Sequence, residues 1–164
     1  MTRFSLLTLI FSFCFMLSAL AAESIPLKNS VEAHVIRLGP GTDPKIALLN
    51  YVKEKKIKAA SIASAVGSLT VSVMRYANQK DTVELKGFRE VVSLSGTLGD
   101  TSGAHLHLSV SDGSGATLGG HLGDGSKVYT TLEIVLLAYP QLEFERKLDP
   151  QTTFQELSIK NLAK

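Results

Sequence analysis

The sequence contains one cysteine and no tryptophan among its 164 residues, and the cysteine is Cys14. A single cysteine cannot close a disulfide within the chain, and Cys14 lies in an apolar run that we expect to be removed. The rest of the chain offers no thiolate for metal binding or covalent catalysis. Burial of apolar side chains must therefore hold the domain together, and imidazole and carboxylate groups are its strong metal ligands.

The chain also lacks a strong excess of either charge, with 17 basic residues against 15 acidic ones. Loss of Arg3 with an export signal would leave 16 basic residues, a net charge of +1 with histidine neutral. Non-specific binding to DNA depends on clustered basic residues that neutralise phosphates. The composition therefore argues against nucleic acid as a partner.

Residues 1–21 are predicted to be a cleavable export signal. Arg3 is followed by an apolar run over residues 4–17, and Ala19-Leu20-Ala21 fits the rule for cleavage before Ala22. The run is too short for a membrane anchor, which needs about 20 apolar residues. We expect a periplasmic or secreted product, residues 22–164, with no membrane span. Subtracting 21 from 164 leaves 143 residues, a normal length for one domain.

Period-2 alternation and turn residues predict a chain made mostly of strands. One helix is expected from Pro44 to about Lys56, capped by Thr42 or Asp43. Its buried face is predicted to contain Ile46, Leu49, Val52 and, less perfectly, Leu48. The fold class is predicted as a single α+β domain with an antiparallel or mixed sheet and one or two helices. The predicted strands cover residues 31–38, 57–66, 69–76, 82–86, 88–98, 104–111, 116–122, 127–139, 142–146 and 153–159.

Three of the four histidines fall within 17 residues, on one predicted hairpin. Alternation places His105 and His107 on one face of their strand, and Gly119-Gly120 before His121 leaves room beside the first two rings. Three imidazoles from adjacent strands suit zinc, which in catalytic sites keeps a fourth position open for water. Histidines on a sheet face are also common as surface groups or hydrogen-bonded polar groups, so the residues alone leave both interpretations open. If they bind metal, affinity should fall as the pH drops through about 6.5.

The remaining polar residues give weaker indications. His34 stands apart on the first strand, where a structural role is favoured. Glu90 and Glu133 could serve as a general base or hold a metal ligand in place, but pairing with Arg37, Arg75 or Arg89 is the favoured interpretation. The sequence contains no His-Glu-x-x-His, no Gly-x-Ser-x-Gly and no dinucleotide fingerprint, so no complete catalytic motif identifies a reaction.

Several segments together resemble the plant- and prokaryote-conserved (PPC) domain. They are Gly87 to Thr97, His105-Leu106-His107-Leu108 and Gly119-Gly120-His121-Leu122, with Arg37 to Asp43 and Ala65 to Leu69 before them. The resemblance covers about residues 31–159 and implies a curved, mainly antiparallel sheet and a homotrimer. Plant members carry AT-hooks and associate with DNA, and bacterial relatives are often given a DNA-binding label. This chain lacks the Arg-Gly-Arg-Pro core of an AT-hook.

The resemblance also gives the histidines a predicted role. Prokaryotic members that carry histidines at the positions of His105, His107 and His121 look like a metal-binding version of the scaffold, and the resemblance implies zinc as the natural candidate. Three functions follow as hypotheses. The first is a trimeric, metal-binding exported protein, a hydrolase or lyase that uses metal-bound water on a small-molecule ligand. The second is a non-catalytic binding or assembly module, and the third is DNA binding by family label. The first two remain open at this point, so enzymatic activity does too.

Overall fold

The computed structural model describes residues 31–162, which form one helix and eight strands. The elements are β1 (Glu32–Leu38), α1 (Pro44–Glu54), β2 (Ala60–Arg75), β3 (Val83–Gly99), β4 (Gly103–Ser111), β5 (Thr117–Leu122), β6 (Lys127–Ala138), β7 (Leu142–Leu148) and β8 (Gln155–Asn161). The predicted export signal lies outside the described residues. Within them, no helix is long and apolar enough to cross a bilayer.

The six strands β1 to β6 form one sheet in the order β1-β6-β2-β3-β4-β5. An additional pairing joins β5 back to β2, so β2, β3, β4 and β5 close into a ring. Strands β7 and β8 form a separate two-stranded sheet. All pairings among the described strands are antiparallel, which confirms the antiparallel sheet and corrects the mixed alternative. The α+β assignment holds in outline, although the domain is mainly β with one helix in residues 31–162.

Two pairs of predicted strands are each one long strand in the structure. Strand β2 continues through Gly67 and β3 through Gly87, where the prediction had separated one strand from the next. Both glycines have positive φ, +150° and +112°, and the pairing of β2 shifts register on either side of Leu69. Glycine can turn the backbone within a strand without ending it, so these residues mark bends rather than hairpins.

The helix begins and is capped as predicted, but its buried face differs. The Asp43 carboxylate accepts hydrogen bonds from the backbone N–H of Lys45 (3.0 Å) and Ile46 (3.2 Å). Its second oxygen accepts one from Gly125 N–H (2.6 Å), which ties the helix to the turn before β6. The buried residues are Pro44, Leu48 and Val52, whereas Ile46 is 42% exposed. The i, i+4 row therefore packs on the sheet, so the prediction was right for Leu48 and Val52 and wrong for Ile46.

The hydrophobic core lies between α1 and the face of the large sheet that the helix covers. The largest fully buried side chains include Leu48 of α1, Leu69 and Met74 of β2, Leu106 of β4 and Leu136 of β6. The long strand β6 lies between β1 and β2 in the large sheet. A second, smaller cluster of Ala59, Leu142 and Phe144 anchors the β7-β8 sheet.

Candidate metal centre

The β4-β5 hairpin carries the three histidines that the sequence singled out. Leu106, Leu108 and Val110 are at most 3% exposed. His105 and His107, which alternate with them, lie at the surface, as the alternation predicted. In the turn, Asp112 accepts hydrogen bonds from the N–H groups of Ser114 and Ala116 at 2.9 and 3.2 Å. This turn fixes the register of the two strands.

The register places His121 directly opposite His107. Opposed residues of an antiparallel pair point to the same face, with their Cβ atoms about 5 Å apart. All three rings therefore project from one face of the hairpin. The structure brings together the three residues that the sequence proposed as one group.

The distances between the rings match those of a bound metal ion. The ring centres lie 5.2 Å (His105 to His107), 5.2 Å (His105 to His121) and 5.7 Å (His107 to His121) apart. Zinc lies about 2.1 Å from a ring nitrogen, and so about 3.2 Å from the ring centre, which puts tetrahedral ring centres about 5.2 Å apart. One nitrogen from each ring already lies within 4.8 Å of the other two. Tetrahedral nitrogens are about 3.4 Å apart, so small ring rotations would complete the site.

The surroundings of two rings disfavour their protonated form, and the neutral form is the one that binds metal. Burial is the main cause that lowers the pKa of His121 to about 4, and the neighbouring His105 adds to the effect. The pKa of His105 is lowered too, first by burial and then by the positive charge of Arg146. These shifts move the expected onset of proton competition below the 6.5 of free imidazole.

One nitrogen of His121 is buried without a partner among the described residues. Its Nδ1 accepts no hydrogen bond from them and donates none to them. Buried polar atoms are rarely left unsatisfied, and each case calls for an explanation such as an ion or a bound water. This observation fits a ligand at the cluster.

The two glycines before His121 do not act as predicted. A Cβ at Gly119 would lie 2.7 Å from the Ser109 hydroxyl, and one at Gly120 would lie 2.8 Å from the backbone carbonyl of Arg75. At neither glycine is a histidine ring among the nearest atoms that an added Cβ would meet. The glycines instead let β5 approach β4 on one side and β2 on the other, and so place His121 indirectly.

Three charged residues that the sequence analysis did not place at the site lie beside it. Arg75 of β2 lies directly opposite His121 of β5 in the strand register. Arg146 of β7 donates a hydrogen bond to the Thr97 hydroxyl (3.1 Å), and Thr97 lies opposite His105. With Glu156 of β8, both arginines line a cavity of about 720 Å³ against His105 and His121. The closure of β5 on β2 and the packing of β7 on β3 create this arrangement, and no local pattern in the sequence indicates either.

The other candidate residues lie away from the cluster. Glu90 and Glu133 are exposed, and neither belongs to the group of three histidines. Glu133 lies opposite Arg37 in the register of β1 and β6, whereas Arg89 is 3.9 Å from Asp112 rather than paired with Glu90. His34 Nδ1 lies 2.9 Å from the hydroxyl of Tyr51 on the helix, which agrees with a structural role.

The fold and the histidine cluster define a class of small, mainly antiparallel domains with a histidine-lined site on one hairpin. The family model of the Plants and Prokaryotes Conserved (PCC) domain matches residues 27–140, well over half of the chain. The protein belongs to this family, which is the one that its motifs resemble.

The chain is similar to the bifunctional protein GlmU from Synechococcus sp. (strain JA-3-3Ab), to which it is 40% identical over 147 residues. That match covers 89% of this chain and 24% of GlmU, so the chain spans about a quarter of the length of that relative. A second GlmU, from another Synechococcus strain, is 41% identical over 135 residues, with 21% of its length matched.

Solved structures share the fold. A hypothetical protein from Salmonella is 42% identical, with a TM-score of 0.79 over 80% of this chain and 95% of that one. The protein AF0104 from Archaeoglobus fulgidus, described as metal-containing, is 29% identical, with a TM-score of 0.66 over 77% of this chain and 93% of its own. A chain from Bacteroides thetaiotaomicron, described as a candidate DNA-binding protein, is 21% identical with a TM-score of 0.66 over 79% of this chain and 96% of that one. At that identity the likeness concerns the fold alone.

Proposed function

We propose that His105, His107 and His121 bind one divalent metal ion per chain, with zinc the favoured ion, and leave one coordination position open to the adjoining cavity. The triangle of ring centres carries this proposal, because its sides of 5.2 to 5.7 Å are those of three imidazoles around one tetrahedral ion. The unpartnered Nδ1 of His121 and the lowered pKa values of two rings agree with it.

The donor set favours zinc over other divalent ions. Three imidazole nitrogens suit zinc and some transition metals, whereas magnesium and calcium prefer oxygen ligands. The described residues bring no carboxylate into the cluster. The description of the Archaeoglobus relative as metal-containing supports a metal in this scaffold.

An open coordination position facing a cavity suits hydrolysis or elimination on a small molecule. When bound, zinc would lower the pKa of a coordinated water to about 7 and polarise a substrate oxygen. The chain's own residues would orient the substrate through the arginine side chains that line the cavity. Glu156, on the same wall, is placed to accept or hold a proton.

The test is metal analysis of purified protein with single histidine variants. Wild-type protein loaded with zinc should hold about one ion per chain, and His105→Ala, His107→Ala or His121→Ala should lose most of it. His34→Ala is the matched control, because that ring contacts Tyr51 instead of the cluster, and it should keep the ion. Full zinc content in a His105→Ala, His107→Ala double variant would overturn the proposal.

A second candidate is an assembly module, and an exposed apolar face favours it. Val35 of β1 is 83% exposed, Val66 of β2 is 62% exposed and Val92 of β3 is 56% exposed, all on the outward side of the sheet. Large apolar side chains left exposed on neighbouring strands suit an interaction surface. We propose that this outer face joins three copies into a homotrimer, which is compatible with metal binding by each subunit.

Two further points concern where the protein is located and whether it binds DNA. We propose that the protein is periplasmic or secreted and starts at Ala22 or Glu23, and intact-mass measurement on exported material tests this. A product that retains residues 1–21 would refute it. We propose no DNA-binding function, since 17 basic residues are balanced by 15 acidic ones and DNA affinity rests on a positive excess.

A further inference from the structure

The cavity beside the histidine cluster has a chemical character of its own. Its volume is about 720 Å³, which lies within the range of about 300 to 1,000 Å³ typical of small-molecule sites. Residues of the β4-β5 hairpin line it, together with residues of β7 and the start of β8. It is large enough for an organic molecule rather than a bare inorganic ion.

Two arginines converge on this cavity from different sheets. Arg75 lies on β2 directly opposite His121, and one of its Nη atoms donates to the backbone carbonyl of Gln79 (3.2 Å). Arg146 comes from β7, and its Nη2 donates to Thr97 (3.1 Å). A guanidinium has five N–H donors, so each contact holds the group in place and leaves donors for a ligand.

The charges in the cavity do not balance. Among the residues that line it, the two guanidinium groups face one carboxylate, that of Glu156. A divalent ion on the histidines would add two more positive charges to the same space. Fixed positive charge in a concave site attracts an anion.

We infer that the cavity binds a small organic anion, whose carboxylate or phosphate group pairs with Arg146 and Arg75 while another of its polar groups reaches the metal position. This inference rests on the proposed metal site and names the class of its ligand. Arginine suits the task because its planar fork binds an oxyanion through two hydrogen bonds. Ala104 and the 71% exposed Phe154 at the cavity supply apolar surface for the organic part.

The experiment is titration calorimetry on the zinc-loaded protein with two anions and their neutral counterparts. Succinate tests a carboxylate and glycerol 3-phosphate tests a phosphate, with succinamide and glycerol as the neutral molecules. At least one anion should bind, and neither neutral molecule should. Arg146→Gln and Arg75→Gln should each weaken binding about tenfold or more, because a charge-assisted hydrogen bond is lost.

The matched control is Arg37→Gln, which removes an arginine from the exposed outer face of β1. It should leave the Kd of the anion unchanged. Arg146→Lys keeps the charge without the fork and should bind between wild type and Arg146→Gln. Circular dichroism identifies any variant that fails to fold.

Zinc content measured in the same samples separates this inference from the metal proposal. Zinc-loaded protein that binds neither anion, or binds one equally well in both glutamine variants, overturns the inference and leaves the metal site intact. Protein that holds no zinc refutes the metal site. Anion binding that still depends on Arg146 in such protein would support the cavity's role.

Discussion

Replacing Gly96 by alanine should damage both the fold and the metal site. Gly96 lies on β3 opposite Leu106, with φ of +137°, a conformation that residues with a Cβ avoid. A Cβ at this position would lie 2.0 Å from the backbone carbonyl oxygen of His105 and 2.9 Å from the Cα of Leu106. Contacts below 3.0 Å to backbone force a shift, so β4 must move about 1 Å away from β3 at His105, the first of the proposed metal ligands.

The size of the effect follows from two contributions. The positive φ costs about 1–2 kcal/mol for a residue with a Cβ, and disrupting one or two ladder hydrogen bonds costs about 1 kcal/mol each. A loss of roughly 3 kcal/mol should lower the Tm by about 10 °C for a domain of this size. The assay is thermal unfolding by circular dichroism, with zinc content measured in parallel.

Gly113→Ala is the matched control for this experiment. Gly113 lies in the β4-β5 turn, its added Cβ would meet nothing within 4 Å, and its φ is not in the left-handed region. It should unfold within about 2 °C of wild type and keep its zinc. A Gly96→Ala protein with wild-type Tm and full zinc content would refute the account of this close approach.

Two further predictions concern pH and assembly. Metal-free protein should lose stability as the pH falls from about 6.5 to 4, because the pKa of His121 is about 4 when folded, so the unfolded chain binds more protons in that window. Urea midpoints should fall less with pH in His121→Gln than in wild type, and a wild-type midpoint that does not change with pH would contradict this. If the proposed trimer forms through the outer face, Val66→Glu should give smaller species by light scattering. Leu148→Glu, which replaces a side chain 66% exposed on β7, should not change the mass. Equal masses for both variants and wild type would exclude the outer face as the trimer contact.

The sequence indicated the site better than it indicated the sheet around it. Alternation along residues 104–111 places His105 and His107 outward because a strand's side-chain period of two is fixed by its backbone. The turn at Asp112 then brings His121 alongside through a local hairpin. These predictions succeeded because each depends on residues close together in the chain.

The parts that failed depend on contacts between distant residues. Gly67 and Gly87 have the composition of turns, yet strand neighbours on both sides hold them within long strands. The buried face of α1 is set by where the helix lies on the sheet, and its own sequence allowed both the row of Leu48 and the row of Ile46. Arg146 is held at the site by its hydrogen bond to Thr97, which lies 49 residues away in sequence, so no spacing rule could have found it.

The alternation along β4 also has a consequence for how such a site can arise and disappear. Leu106 and Leu108 are buried in the core, whereas His105 and His107 lie at the surface of the same strand. Exchanging the outward residues leaves the packing of the inward ones intact. A descendant of this chain could therefore give up its metal ligands, or acquire different ones, while inheriting the same scaffold unchanged.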